Sequence, residues 1–257
     1  MEICVDSIQS VVNACDGGAS RLELCSALSL GGLTPSMSLF KLTKRKYPNM
    51  PVFVMIRPRE GNFMYSDLEL EEMLLSIEEF HSSGADGFVF GCVKHLPNNE
   101  ACSSEVIVDE EATSKLIAEC KGKPVTFHRA FDLCSDCEEA LNTCATLGIW
   151  RILTSGGEKT ALEGAEKLAR LTKVASSSSV KILPGCGLNS SNISRFLHKS
   201  KSEFDIVFSE LHASCRKLNT KIQTKNANVD FDLEHKTADL IQVKICADVL
   251  SKFQSVN

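Results

Sequence analysis

Three observations predict a single-domain α/β fold, a closed (β/α)8 TIM barrel over residues 1–257. Short β-rich runs alternate with stretches of helical period from end to end, and there are eight of each. Dividing 257 residues by eight leaves about 32 per unit, the size of a strand, a helix and two loops. No composition break or long linker divides the chain before about residue 213. Strict alternation implies parallel strands joined by right-handed crossovers, whereas a doubly wound open sheet usually stops at about five or six strands.

Taken in order, the predicted strands are Glu2–Val5, Arg21–Cys25, Val52–Ile56, Gly87–Phe90, Val125–His128, Arg151–Thr154, Val180–Leu183 and Asp205–Ser209. The clearest helix lies between the third and fourth strands, where Leu70, Met73, Leu74, Ile77 and Phe80 recur at steps of three and four on one face. Capping boxes are expected at Ser66 with Glu69, Ser135 with Glu138, and Thr160 with Glu163. Gly84, Gly122 and Gly148 stand where helices end. Ser176–Ser179 reads as a polar loop. Ser214–Asn228 carries Arg216, Lys217, Lys221 and Lys225 with no acid, and reads as a solvated loop before a last helix near Thr237–Phe253.

Composition narrows the function. With 43% hydrophobic and 24% charged residues and a formal net charge of −5, the chain is an ordinary globular protein. The acidity excludes a dedicated nucleic-acid binder, and the lack of a run of about 18 apolar residues excludes a membrane span. Met1–Asp6 has neither the basic region nor the apolar core of a signal peptide. Twelve cysteines scattered through apolar segments are then expected to stay reduced inside the cell, most of them as small buried hydrophobes.

Barrel chemistry sits at the C-terminal strand ends and the loops that follow. Glu2-Ile3-Cys4 in the first strand is echoed by Glu23-Leu24-Cys25 in the second. Residues two apart share a face, and neighbouring strands lie about 4.8 Å apart, so two thiols at matching height could approach one another. Such a pair suits a soft ion such as Cu(I), but on spacing alone core packing is the favoured explanation. At the fifth strand, His128, Arg129 and Asp132 supply a titratable group, a fixed cation and a carboxylate. At the eighth, Glu210 and His212 repeat the two-residue pattern. Buried carboxylates need counter-ions, for which Arg57 and Arg129 are expected. Pro184-Gly185-Cys186-Gly187 has the small residues of a phosphate loop, and also those of a tight turn. Cys134-x-x-Cys137 lacks the second pair that structural zinc needs, and His81, His95, His198 and His235 read as partnerless surface groups on helices or loops.

Several stretches together resemble the CutC copper homeostasis family: Glu-x-Cys-x-Asp-Ser from residue 2, Arg-Leu-Glu-Leu-Cys-Ser from 21, Gly-Gly-Leu-Thr-Pro-Ser from 31, Met-Ile-Arg-Pro-Arg from 55, Tyr-Ser-Asp from 65, Val-Thr-Phe-His-Arg-Ala-Phe-Asp from 125 and Leu-Thr-Ser-Gly-Gly from 153. They run in family order over roughly residues 1–213, and the chain looks closer to the animal members than to the bacterial ones. The resemblance implies a TIM barrel, a homo-oligomer (dimer or tetramer), a cytoplasmic and also nuclear location, and Cu(I) as the bound ion. By motif match it implies Cys4 and Cys25 as the copper ligands. Two departures lie near the suspected anion site: Cys186 interrupts the glycine run, and Lys225-Asn226 stands in a short last loop for the family's arginine-asparagine element.

Three functions follow. One is Cu(I) storage or trafficking through Cys4 and Cys25. A second is an enzyme acting on a small anionic substrate, with candidates Glu2, Glu23, Arg57, His128, Arg129, Asp132, Glu210 and His212. The third is a scaffold whose polar groups are consumed by one another.

Overall fold

A computed structural model describes residues 1–96, 105–220 and 235–256. Its elements run β1 (Glu2–Val5), α1 (Ile8–Asp16), β2 (Arg21–Leu24), α2 (Met37–Lys46), β3 (Val52–Met55), α3 (Asp67–Ser82), β4 (Gly87–Phe90), β5 (Val93–His95), β6 (Val106–Val108), α4 (Glu110–Glu119), β7 (Val125–Phe127), α5 (Cys137–Thr146), β8 (Arg151–Thr154), α6 (Ala165–Ala175), β9 (Lys181–Pro184), α7 (Ile193–Phe204), β10 (His212–Ala213), β11 (Arg216–Thr220), β12 (His235–Ala238) and α8 (Leu240–Val256). Eight strands form one sheet in the order β10-β1-β2-β3-β4-β7-β8-β9, all paired in parallel. The predicted barrel is present and nearly closed: among the described residues β9 and β10 share no ladder, although they abut. A Cβ built on Gly185, just past β9, would lie 3.2 Å from the His212 Cβ.

The eighth strand is not where its alternating pattern places it. Residues 205–209 pair with no strand, and β10 begins at His212. Asp205 turns left-handed (φ 56°) to cap α7, and the Gln254 amide of α8 donates to the carbonyls of Phe208 and Ser209. With those acceptors occupied, the segment packs Phe208 on Phe196 instead of joining the sheet. Strict alternation is also interrupted twice. The segments at 93–95 and 106–108 pair antiparallel as β5 and β6, and the expected basic loop begins as β11, paired antiparallel with β12. His95 and His235 therefore lie on strands rather than on helices or loops. Lys221, Lys225 and Asn226 lie outside the described residues, as does Cys102.

Local signals explain most helix ends. Ser66 and Glu69 form the reciprocal capping box expected of them. At α5, however, Asp136 is the cap, accepting from the N–H groups of Glu138 and Glu139; the Ser135 hydroxyl instead accepts from Val106 N–H. Thr160 accepts from Glu163 N–H, but the turn it closes precedes α6.

The core has two parts. The larger packs the outer strand faces (Ile3, Val5, Leu22, Leu24, Val54) against helix residues such as Val11, Phe40, Met73 and Phe196. A small cluster of Cys25, Phe53, Met55 and Val89 fills the barrel interior. Inward side chains on the same strands as this second cluster carry the polar chemistry, because alternation sends the other residues to the helices.

Candidate metal centre at the barrel mouth

The strand register separates two groups of polar residues that look alike in sequence. Glu2 pairs with Arg21 on one side and His212 on the other, at the start of the strands; two residues further, Cys4 pairs with Glu23. The two thiols are thus not at matching height. The stagger that a tilted barrel imposes puts the Cys4 thiol level with the Glu23 carboxylate and Cys25 one layer above.

The lower group sits at the N-terminal strand ends. The Glu2 carboxylate pairs with Arg21 and, at 3.3 Å, with Arg151. Glu210 meets Arg21 at 2.5 Å and Arg151 at 2.6 Å. Arg151, fully buried, also donates to the Thr126 hydroxyl and lies over the Trp150 ring, 4.0 Å from its centroid. The counter-ions of Glu2 and Glu210 are therefore Arg21 and Arg151, not Arg57 and Arg129. The sequence reading missed Arg21 and Arg151; the signal available was that each opens a strand, level with the acids.

The upper group faces a cavity of about 820 Å³, lined among others by Cys4, Glu23, Arg57, His128, Arg129 and His212. The His212 Nε2 lies 3.0 Å from the Glu23 Oε2 and 4.0 Å from the Glu2 Oε1. Ligating atoms of Cys4, Glu23 and His212 all lie within 4.8 Å of one another, and all three residues are buried. The Cys25 Sγ stands 3.7 Å from the same Glu23 oxygen, within the apolar cluster of Phe53, Met55 and Val89. The other Glu23 oxygen is buried without a hydrogen-bond partner. Burial pushes the Cys4 thiol above its ordinary pKa, and the neighbouring His212 pulls it partly back. Burial and then the Glu23 carboxylate push Cys25 up further. Burial opposes a charge on His212, but Glu23 and Cys4 outweigh it and hold the imidazole well above its usual pKa.

The arginines of the mouth are occupied by the protein itself. Arg57 donates to the carbonyls of Leu30, Gly32 and Gly61 and stacks on Phe63, which ties the loops after β2 and β3 together. Arg129 reaches Asp132, the Ser155 hydroxyl and the Cys186 sulfur. Asp132 collects the N–H groups of Ser155 and Gly157 and the hydroxyls of Thr154 and Ser155, so it organises the glycine loop after β8. In the loop after β9, the N–H groups of Gly185, Asn189 and Ser191 donate to Thr154, Asn192 and Asn189. Cys186 adopts φ 78°, the left-handed region that a glycine there would enter without strain.

His128 is buried; its Nδ1 accepts from Ala130 N–H, and its Nε2 has no partner. Burial and the Arg57 charge lower its pKa to about 3, so it is a neutral imidazole at pH 7. Its ring fits because residue 91 is glycine: a Cβ there would lie 2.7 Å from the His128 Nδ1.

Among the described residues, no helix is long and apolar enough to cross a membrane. The CutC family model matches residues 1–216. The human copper homeostasis protein cutC homolog is 45% identical over 216 residues, covering 84% of this chain and 73% of the human one. The Caenorhabditis elegans homolog is 38% identical over 201 residues, 78% of this chain and 76% of the worm protein. The crystal structure of a CutC protein from Streptococcus agalactiae superposes with a TM-score of 0.71 at 29% identity, over 83% of this chain and 97% of that one. A Pyrococcus furiosus thiamine phosphate pyrophosphorylase shares the fold alone, with a TM-score of 0.51 at 12% identity.

Proposed function

This chain belongs to the CutC family, and from that premise and the chemistry of its barrel mouth we propose that it binds Cu(I) in intracellular copper storage or trafficking. The carrying observation is the buried set of Cys4, Glu23 and His212, with Cys25 against the same carboxylate. Two thiols and an imidazole are soft to intermediate donors, the set that selects Cu(I) over hard cations such as Mg²⁺. The donors fit the ion: the unpartnered Glu23 oxygen and the Glu23–His212 pair leave a polar pocket incomplete without a further partner. Cys4 and Cys25 would serve as thiolates, each losing a proton on binding, so uptake weakens as pH falls. His212 and Glu23 take up charge beside them. Reduced thiols are a condition of this chemistry, which is why we place the protein in a reducing compartment.

The test is a titration of the reduced protein with Cu(I) against a competing chelator, using Cys4→Ser, Cys25→Ser and the double variant. One tight equivalent should be lost in the double variant. Unchanged stoichiometry and affinity there would overturn the assignment.

A second reading, an enzyme for a small anionic substrate, draws on one observation. A cavity of about 820 Å³ is far larger than an ion requires and lies in the range of small-molecule sites. The neutral His128 would then donate a hydrogen bond from Nε2 rather than act as a base. Thermal shift with small carboxylates and phosphate esters tests it, and a His128-dependent stabilisation would favour it over the copper reading.

A further inference from the structure

The thiols of Cys215 and Cys246 meet outside the site just described. Cys215 lies in the turn between β10 and β11, and Cys246 on the inner face of α8; their sulfurs are 3.8 Å apart, and both residues are buried. Cys215 also lines the cavity that Cys4 lines. Its backbone is left-handed, with φ 47°, a conformation that costs a non-glycine residue on the order of 1 kcal/mol or more. The fold holds it there: the Cys215 carbonyl accepts from Asp239 N–H, the next residue begins the β11–β12 ladder, and the thiol is thereby aimed at α8.

We propose that Cys215 and Cys246 form a second Cu(I) site, a bis-thiolate clamp between the barrel and α8 that opens onto the same cavity as Cys4. Two thiolates alone hold Cu(I) in a near-linear S–Cu–S arrangement; at about 2.3 Å per bond the sulfurs then stand about 4.6 Å apart, so the pair, 3.8 Å apart here, has to spread by only about 0.8 Å to take the ion between them. Thiolates without carboxylates select a soft monovalent ion, and binding releases the two thiol protons to solvent. Cys246 lies beyond residues 1–216, so this clamp joins the family barrel to the helix that follows it.

This inference rests on the Cu(I) reading of the barrel mouth, and one set of titrations separates the two. The reduced, full-length protein is titrated anaerobically with Cu(I) against a competing chelator in four forms: unchanged, Cys4→Ser/Cys25→Ser, Cys215→Ala/Cys246→Ala, and all four substitutions together. Each double variant should lose one tight equivalent, and the quadruple variant both. X-ray absorption on Cys4→Ser/Cys25→Ser should show its remaining copper bound by sulfur. If Cys4→Ser/Cys25→Ser retains none, the clamp is refuted and the first site stands. If that variant loses nothing while Cys215→Ala/Cys246→Ala loses one equivalent, the clamp stands and the first site falls. Copper kept by the quadruple variant at undiminished affinity refutes both. Should Cys215→Ala/Cys246→Ala melt early, Cys246→Ala alone is used, with a fall of about tenfold or more in affinity for one equivalent as the expected result and unchanged affinity as the refutation.

Discussion

The two ends of this barrel use the same residue types to opposite effect. At the N-terminal end, two carboxylates (Glu2, Glu210) face two guanidiniums (Arg21, Arg151), the charges cancel, and Trp150 packs beneath them. None of these four residues lines the cavity. At the C-terminal end, a carboxylate, an imidazole and the Cys4 thiol converge on open space, and Arg57 and Arg129, which also line it, are bonded to the surrounding loops. The lower end is an ion-pair plug that fixes strand register. Both ends keep buried polar atoms without a partner, Glu2 Oε1 and Arg151 Nε below and Glu23 Oε1 and His128 Nε2 above, but only the upper residues, Glu23 and His128, line the cavity where something else could bind.

The largest effect that would test this contrast comes from the plug. Arg151→Met leaves Glu2 and Glu210 with a single cation, and it should lower stability by about 3–5 kcal/mol in urea unfolding while leaving Cu(I) stoichiometry unchanged. A loss below about 1 kcal/mol would mean that the plug is not structural.

The next test sits at the mouth. His128 has a folded pKa of about 3 against 6.5 in the unfolded chain, so between those values only the unfolded chain binds the proton. Its contribution is fully present above about pH 6.5 and is lost as pH falls toward 3, at about 1.4 kcal/mol per unit. Urea midpoints measured from pH 7 to 4 should show that slope, and His128→Gln should flatten it. An unchanged slope in the variant would place the acid sensitivity elsewhere.

The smallest effect concerns the strained loop. Cys186→Gly relieves a left-handed cysteine and removes a sulfur from Arg129, and it should raise stability by up to about 1 kcal/mol. A loss instead would show that the sulfur contact outweighs the backbone strain.

Much of this was legible before any coordinates. The repeat of strand and helix set the barrel, because hydrophobic periodicity and capping are local properties written over a few residues. Glu2, Cys4, Glu23, Cys25 and His212 were marked because charged and soft groups inside apolar strands are costly. Apart from the caps expected at Ser135 and Thr160, the failures were of pairing. Ile206 and Phe208 alternate like a strand, yet Gln254, some 45 residues away, takes the carbonyls that a ladder would need. Arg57 and Arg129 were the nearest cations by motif, but Arg21 and Arg151 are nearer in space.

The sequence by itself therefore determined which residues face inward and that soft and charged donors line the barrel, since side-chain alternation depends only on backbone geometry. The tertiary structure alone decided their partners. Strand stagger set Cys4 beside Glu23 rather than Cys25, sorted the glutamates between the two ends, and brought Cys246 from the last helix to Cys215. Register and closure are long-range quantities, fixed by the whole sheet at once, and no local pattern carries them.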